Sequence, residues 1–229
     1  MRKPYKGVGM EGVIATWYAR NTKGDIRDYR RCARAVTDQV TPGGSVLEVA
    51  PGPGYLAIEI AKLGDYRVTG LDVSHSFVRI ARENAGEARA AIDFRQGDAA
   101  HMPFADDAFD FVACRAAFKN FSDPAGALAE IHRVLKPGGK ASIYDLRKNA
   151  SREAIDREVA QMGMSRLNAW LTKWTFRLML LKRAYTDDAM LRMSAESPFR
   201  RGEIVEDGIG FELRLRKPAG APSARRSSA

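Results

Sequence analysis

The 229 residues, 45% hydrophobic and 28% charged, suit one globular domain with its own core and exclude collagen-like, coiled-coil and disordered compositions. The net charge of +9 invites a nucleic-acid partner, but Arg2, Lys3, Lys6, Arg214, Arg216, Lys217, Arg225 and Arg226 gather at the two ends, where charge serves solubility or weak association better than docking. Cys32 and Cys114 lack metal or disulfide spacing and read as free thiols, and the polar start from Met1 to Gly12 leads us to expect a cytoplasmic protein without a secretory signal.

In chain order, a helix is expected from Gly24 to Val40, with Ile26, Tyr29, Cys32, Ala33 and Val36 at helical spacing. Strands follow at Ser45 to Ala50, Arg67 to Asp72, Ala91 to Gln96, Asp110 to Arg115 and Lys140 to Asp145. Between them lie helices at Gly54 to Leu63, Ser74 to Asn84 and from an Asp123 cap with Pro124 to Leu135, where Pro137-Gly-Gly ends it. Such alternation predicts βαβ units and a parallel sheet. Ser151 to Ser197 reads as helical, with Leu167, Trp170, Leu171, Trp174, Leu178, Leu181 and Tyr185 on one apolar face and Arg166, Lys173 and Arg177 elsewhere. That face suits packing on the sheet, a lid over an apolar ligand, or a membrane surface; Lys173 and Arg177 break it too early for a transmembrane span. Glu203 to Glu206 and Gly210 to Arg216, joined at Asp207-Gly208, form an antiparallel hairpin. The predicted class is α/β: a doubly wound, seven-stranded, mostly parallel sheet with a C-terminal antiparallel hairpin and a helical insertion before it.

Glycine-rich Ala50-Pro51-Gly52-Pro53-Gly54 lies between the first strand and its helix, where a ligand can approach the backbone and meet helix N–H donors. Glu48 beside it would repel a pyrophosphate and suits a cationic ligand, which argues against a dinucleotide. Asp72, at the end of the second strand, is placed to accept hydrogen bonds from both hydroxyls of a ribose, or to cap the next helix.

The series Glu48-Val-Ala-Pro-Gly-Pro-Gly54, Gly70-Leu-Asp72-Val-Ser, Gly97-Asp98-Ala99, Met102-Pro-Phe, Phe109-Asp-Phe-Val and Leu135-Lys-Pro-Gly-Gly139 resembles the ordered motifs of class I S-adenosylmethionine-dependent methyltransferases. The resemblance spans Val46 to Tyr144. It implies S-adenosylmethionine as cosubstrate and S-adenosylhomocysteine as product, with Gly52 and Gly54 lining the methionine moiety, Glu48 ordering its amino group, Asp72 with Val73 at the ribose, and Asp98 with Ala99 at the adenine. Ala50 departs from the usual glycine and leaves less room. Asp98 alternatively closes an Asx-turn.

Lys119-Asn120 before Ser-Asp123 is similar to the Arg-Asn segment of ubiquinone and menaquinone C-methyltransferases, which implies a small, partly apolar acceptor. Arg115 faces donor or acceptor, or pairs with Glu48 or Asp98. Tyr18, in an arm expected to precede the first helix and fold over the donor, contacts the donor carboxylate, orients the acceptor or simply packs. His101 is a candidate base or a surface residue. His75, His101 and His132 show no metal spacing, so no metal is expected. An RNA or protein methyltransferase would share this donor site, but no Asn-Pro-Pro-Tyr motif or RNA module is present; a non-catalytic subunit is disfavoured because the donor residues are retained. The expected organisation is one methyltransferase domain over 1–217: arm and helix (1–40), donor-binding core (45–146), helical insertion or lid (151–197) and hairpin (201–217). A disordered basic tail (218–229) follows. The attacked atom and the oligomeric state are left open.

Overall fold

Short apolar runs bounded by turn residues fold as the strands of one sheet. The computed structural model describes residues 4–6, 9–161 and 183–219. Its seven strands are β1 (Ser45–Val49), β2 (Arg67–Asp72), β3 (Ile92–Gln96), β4 (Phe109–Arg115), β5 (Leu135–Leu146), β6 (Gly202–Asp207) and β7 (Gly210–Arg216), in the order β3-β2-β1-β4-β5-β7-β6. The first five are parallel, and β7 runs antiparallel to both β5 and β6. The predicted fold class is the observed one. In the hairpin Asp207 pairs with Gly210, so the two-residue loop is Gly208-Ile209, with Gly208 at φ 59° supplying the left-handed backbone such loops need.

Every residue of β1 is buried, because helices cover both faces of the sheet. On one face α2 (Ile26–Thr37), α3 (Tyr55–Ala61) and α4 (His75–Glu87) bring Val36, Ile60 and Val78 against Val46, Val68 and Phe111. On the other, α5 (Pro124–Val134) and α7 (Asp187–Glu196) set Leu128, Ile131 and Met190 against Leu47, Val112 and Ile143. The caps are those the sequence offers: Ser74 Oγ accepts from Phe77 N–H, and Asp123 accepts from Gly126 N–H behind Pro124.

Two expectations need correction, and a third falls largely outside the described residues. The segment expected to be an arm is helix α1 (Gly12–Thr22), which passes through a 3-10 turn at Lys23–Asp25 into α2, so Gly24 lies between two helices instead of opening one. Its buried residues are Ala15 and Ala19, packed on Phe77 and Ile80; alanines leave no apolar stripe for a periodicity argument to find. β5 begins at Leu135, directly after α5, not after the glycines. Its pairing with β4 jumps from Phe109–Leu135 to Phe111–Lys140, so Lys136 to Gly139 bulge out of the strand, with a Cβ at Gly139 only 2.8 Å from the Lys136 carbonyl oxygen. Of the expected helical stretch, α6 (Arg152–Gln161) and α7 are described; Arg166, Leu167, Trp170, Leu171, Lys173, Trp174, Arg177, Leu178 and Leu181 lie outside the described residues, as does the tail from residue 220 on. No described helix is long and apolar enough to cross a membrane.

Candidate functional site

β1 and β4 are neighbours whose connections leave in opposite directions, which opens a crevice at the carboxyl ends of the strands. A cleft of about 1460 Å³ occupies it, lined by the ends of β1, β2, β4 and β5, the loop after β3, and residues of α1 and α2. On its floor the turn after β1 alternates left-handed residues, Ala50 (φ 55°), Gly52 (φ 55°) and Gly54 (φ 80°), with prolines whose rings fix φ. A Cβ on Gly54 would stand 2.8 Å from the Phe94 ring. Ala50 was expected to cost room; its cost is conformational instead, about 1–2 kcal/mol for a left-handed non-glycine residue, held by its N–H donating to the Leu71 carbonyl at 2.7 Å. Ala116, after β4, repeats the device at φ 58°, its N–H donating to Tyr144 O at 2.7 Å. Strained alanines thus border the cleft on both sides of the switch point.

Two buried acids face this turn. Glu48 Oε2 accepts from Ala57 N–H at 2.8 Å, in the first turn of α3. Burial pushes its carboxyl up to about 8, against the pull of that N–H and of the Arg115 charge. Asp72 accepts from Gly52 N–H at 3.0 Å and Ser74 N–H at 2.9 Å, and burial raises its carboxyl to about 6. Both acids line the cleft, with Val73 between Asp72 and the helix cap Ser74. Asp98 and Ala99 line it too. Asp98 Oδ1 accepts from Ala100 N–H at 2.9 Å, so the Asx-turn is formed while the residue remains at the cleft.

Toward β4 and β5 the cleft is walled by Arg115, Ala117, Lys119 and Asn120. The Arg115 guanidinium lies over the Tyr29 ring, 4.5 Å from its centroid. It is this ring from α2, and not a salt bridge to Glu48 or Asp98, that sets its position. Lys119 is buried: its Nζ donates to Asp145 Oδ1 at 2.6 Å and to the Ala116 carbonyl at 2.7 Å. Asn120 accepts the Lys6 N–H on its backbone oxygen at 2.7 Å. Tyr18, on α1, packs edge-on against Phe77 with centroids 5.8 Å apart and lines the cleft. His101 stands apart from the rest: its side chain is 84% exposed, 3.8 Å from Asp98 on the outer side of the loop, and it does not line the cleft. Sequence reasoning missed Tyr29 and Asp145. Asp145, at the end of the strand after the Lys119 segment, could have been suspected as the partner a buried lysine demands.

A family model described as "Methyltransferase domain" matches residues 47–143. A demethylmenaquinone methyltransferase of Deinococcus radiodurans is 37% identical over 126 residues, 55% of this chain and 52% of the relative. A 2-phytyl-1,4-naphtoquinone methyltransferase of Synechococcus elongatus is 36% identical over 111 residues, 47% of this chain and 48% of the relative. The chain spans about half the length of these curated relatives. A solved structure from Methanococcus maripaludis, assigned as an S-adenosyl-L-methionine-dependent methyltransferase, superposes with a TM-score of 0.75 at 23% identity, covering 96% of this chain and 99% of that one. The matched segment is the one that supplies the glycine turn, both buried acids, Asp98 and the Lys119 wall, so the part of this chain that is similar to a methyltransferase domain is the part that builds the cleft.

Proposed function

We propose that the protein transfers a methyl group from S-adenosylmethionine to a small acceptor with substantial apolar area, a reduced naphthoquinone in chemical class. One observation carries the donor half: two buried acids, Glu48 and Asp72, are held above their ordinary values by burial, and both open onto one cleft beside a glycine turn. Such a site is short of positive charge and of hydrogen-bond donors, which a sulfonium, an ammonium and two ribose hydroxyls provide. Gly52 and Gly54 leave room for the methionine moiety, Glu48 takes its amino group, Arg115 faces its carboxylate, and Asp72 with Val73 takes the ribose. Asp98 and Ala99 border the adenine.

S-adenosylmethionine supplies a methyl carbon already activated by its sulfonium and leaves as S-adenosylhomocysteine. The protein's part is therefore to hold the acceptor in line and exclude water, which alone can account for a large share of the rate. The wall from Arg115 to Asn120, together with Tyr18 across the cleft, forms the acceptor side. The quinone chemistry in the relatives' names supports a flat, hydroxylated, largely apolar acceptor; the cleft's mix of aromatic and charged lining residues suits one.

Two measurements test this reading. Glu48 is mostly protonated at pH 7 in the empty site, so a cation that draws it into the ionised form must expel a proton. Calorimetric titration with S-adenosylmethionine at pH 7, in buffers of differing ionisation enthalpy, is expected to show release approaching one proton per site, absent in Glu48→Gln. Incubation with the same donor and a 2-prenyl-1,4-naphthoquinol is expected to yield S-adenosylhomocysteine and singly methylated quinol in equal amounts. Donor binding without turnover of any quinol would overturn the acceptor assignment and leave the donor site standing.

A further inference from the structure

Helix α1 is built the wrong way round for a helix that only packs on its own domain. Small Ala15 and Ala19 face inward, while Val13 is 84% exposed, Trp17 65% and Ile14 46%. Val13, Trp17 and Arg20 follow at i, i+4 and i+7 along one stripe, with Ile14 beside it. An isolated exposed leucine means little, but three large apolar side chains on one helix face, next to the mouth of a cleft, mark a contact surface.

The helix is firmly held. Glu11 accepts from the N–H groups of His75 and Ser76, at 3.0 Å each, at the start of α4, and Gly12 N–H donates to Ser76 Oγ at 2.8 Å. From Glu11 to Arg31 the cations Arg20, Lys23, Arg27, Arg30 and Arg31 outnumber the acids Glu11, Asp25 and Asp28, and Arg20, Lys23 and Arg27 are exposed. Of the nearby acids, Glu11 is occupied by α4, and Asp28 lies 3.4 Å from Arg31. Trp17 also lines the cleft, so the apolar face runs to its rim.

We infer that the exposed face of α1 docks on an anionic lipid bilayer, with Val13, Ile14 and Trp17 entering the acyl boundary and Arg20, Lys23 and Arg27 meeting the headgroups. The inference rests on the apolar-acceptor reading above: an acceptor that partitions into lipid then reaches the cleft past Trp17 without crossing water.

The test is vesicle flotation of the full chain with phosphatidylcholine–phosphatidylglycerol vesicles and with phosphatidylcholine alone. The wild-type protein is expected to float with the anionic vesicles, less so with the neutral ones, and to be released by salt in part. The Val13→Glu/Ile14→Glu variant is expected to bind the anionic vesicles roughly tenfold more weakly or worse. Neither residue lines the cleft, and α1 has no acidic residue in its first turn, where glutamates suit the helix dipole. Calorimetric donor affinity and turnover of a tail-less, water-soluble naphthoquinol should therefore match wild type. Wild-type protein that ignores both vesicle types, or a variant that floats like wild type, overturns the docking surface. So does a dimer in size-exclusion chromatography that the variant breaks, which would give the face to a second copy. Loss of donor binding or of soluble-quinol turnover in the wild-type protein would instead strike the enzymatic reading, so the two failures are distinguishable.

Discussion

Asp72→Ala is expected to weaken S-adenosylmethionine binding roughly 100- to 10,000-fold. Two hydroxyl hydrogen bonds to a carboxylate in a closed site contribute about 1.5–3 kcal/mol each, and each 1.4 kcal/mol is about tenfold in affinity. The substitution also removes the acceptor of the Gly52 and Ser74 N–H groups, so the glycine turn loosens. Asp72→Asn separates the two effects: it preserves the size and one acceptor oxygen, and should recover part of the loss in isothermal titration. The empty protein carries a second signature. Burial raises the Asp72 carboxyl to about 6 in the folded state, above its unfolded value. Its favourable neutral form is thus fully present below about pH 4, and the stability it gives is lost as pH rises through 6. Wild type should lose stability relative to Asp72→Asn over that window, by on the order of 2–3 kcal/mol, in denaturant titrations at pH 4, 5, 6 and 7. A flat difference would mean that the carboxylate is already compensated within the protein, which would count against a cationic ligand at this site.

That the residues of the proposed donor half share one cleft was legible because their placement is local. Glu48, the Ala50–Gly54 turn and Asp72 each sit within a few residues of a strand end, and continuous apolar runs locate strand ends well. The late hairpin was legible for the same reason, through Asp207-Gly208, although its loop is one residue further on, at Gly208-Ile209. What escaped were properties set across the chain. Helix α1 was hidden because its inner face is alanine and its outer face is apolar, the reverse of the usual pattern. The position of Arg115 depends on Tyr29, which lies on a helix 86 residues earlier in the chain and reaches it only through the fold. His101 was a candidate because it neighbours the Asp98 motif, yet Asp98 lines the cleft while the His101 side chain is exposed and does not. Ala50 was correctly singled out, for a steric reason, when the dihedral was the constraint.

Lys119 is the residue whose role changes most between sequence and structure, and its replacement carries the largest expected effect on stability. Its ammonium and the Asp145 carboxylate are 2.6 Å apart with side chains 9% and 2% exposed. Asp145 also accepts from the backbone N–H groups of Lys119 and Leu146 at 2.9 and 2.8 Å, so the carboxylate organises the turn after β4 and the end of β5 together. Lys119→Met strands that carboxylate without its cation, at a cost of about 3–5 kcal/mol. At roughly 2–4 °C per kcal/mol for a chain of this size, the melting temperature should fall by about 10 °C. The double variant Lys119→Met/Asp145→Asn removes both charges and should regain most of the loss, as buried pairs replaced together usually do. With two of its three N–H donors committed to Asp145 and Ala116, Lys119 is expected to shape the acceptor wall and not to act on the acceptor. Quinol turnover in the double variant should then return to within about tenfold of wild type, with the change mainly in KM. A double variant that melts like wild type but keeps kcat depressed a hundredfold would reverse this assignment. The third N–H of the ammonium would then be acting on the acceptor's oxygen in the transition state, and Lys119 would be a catalytic residue.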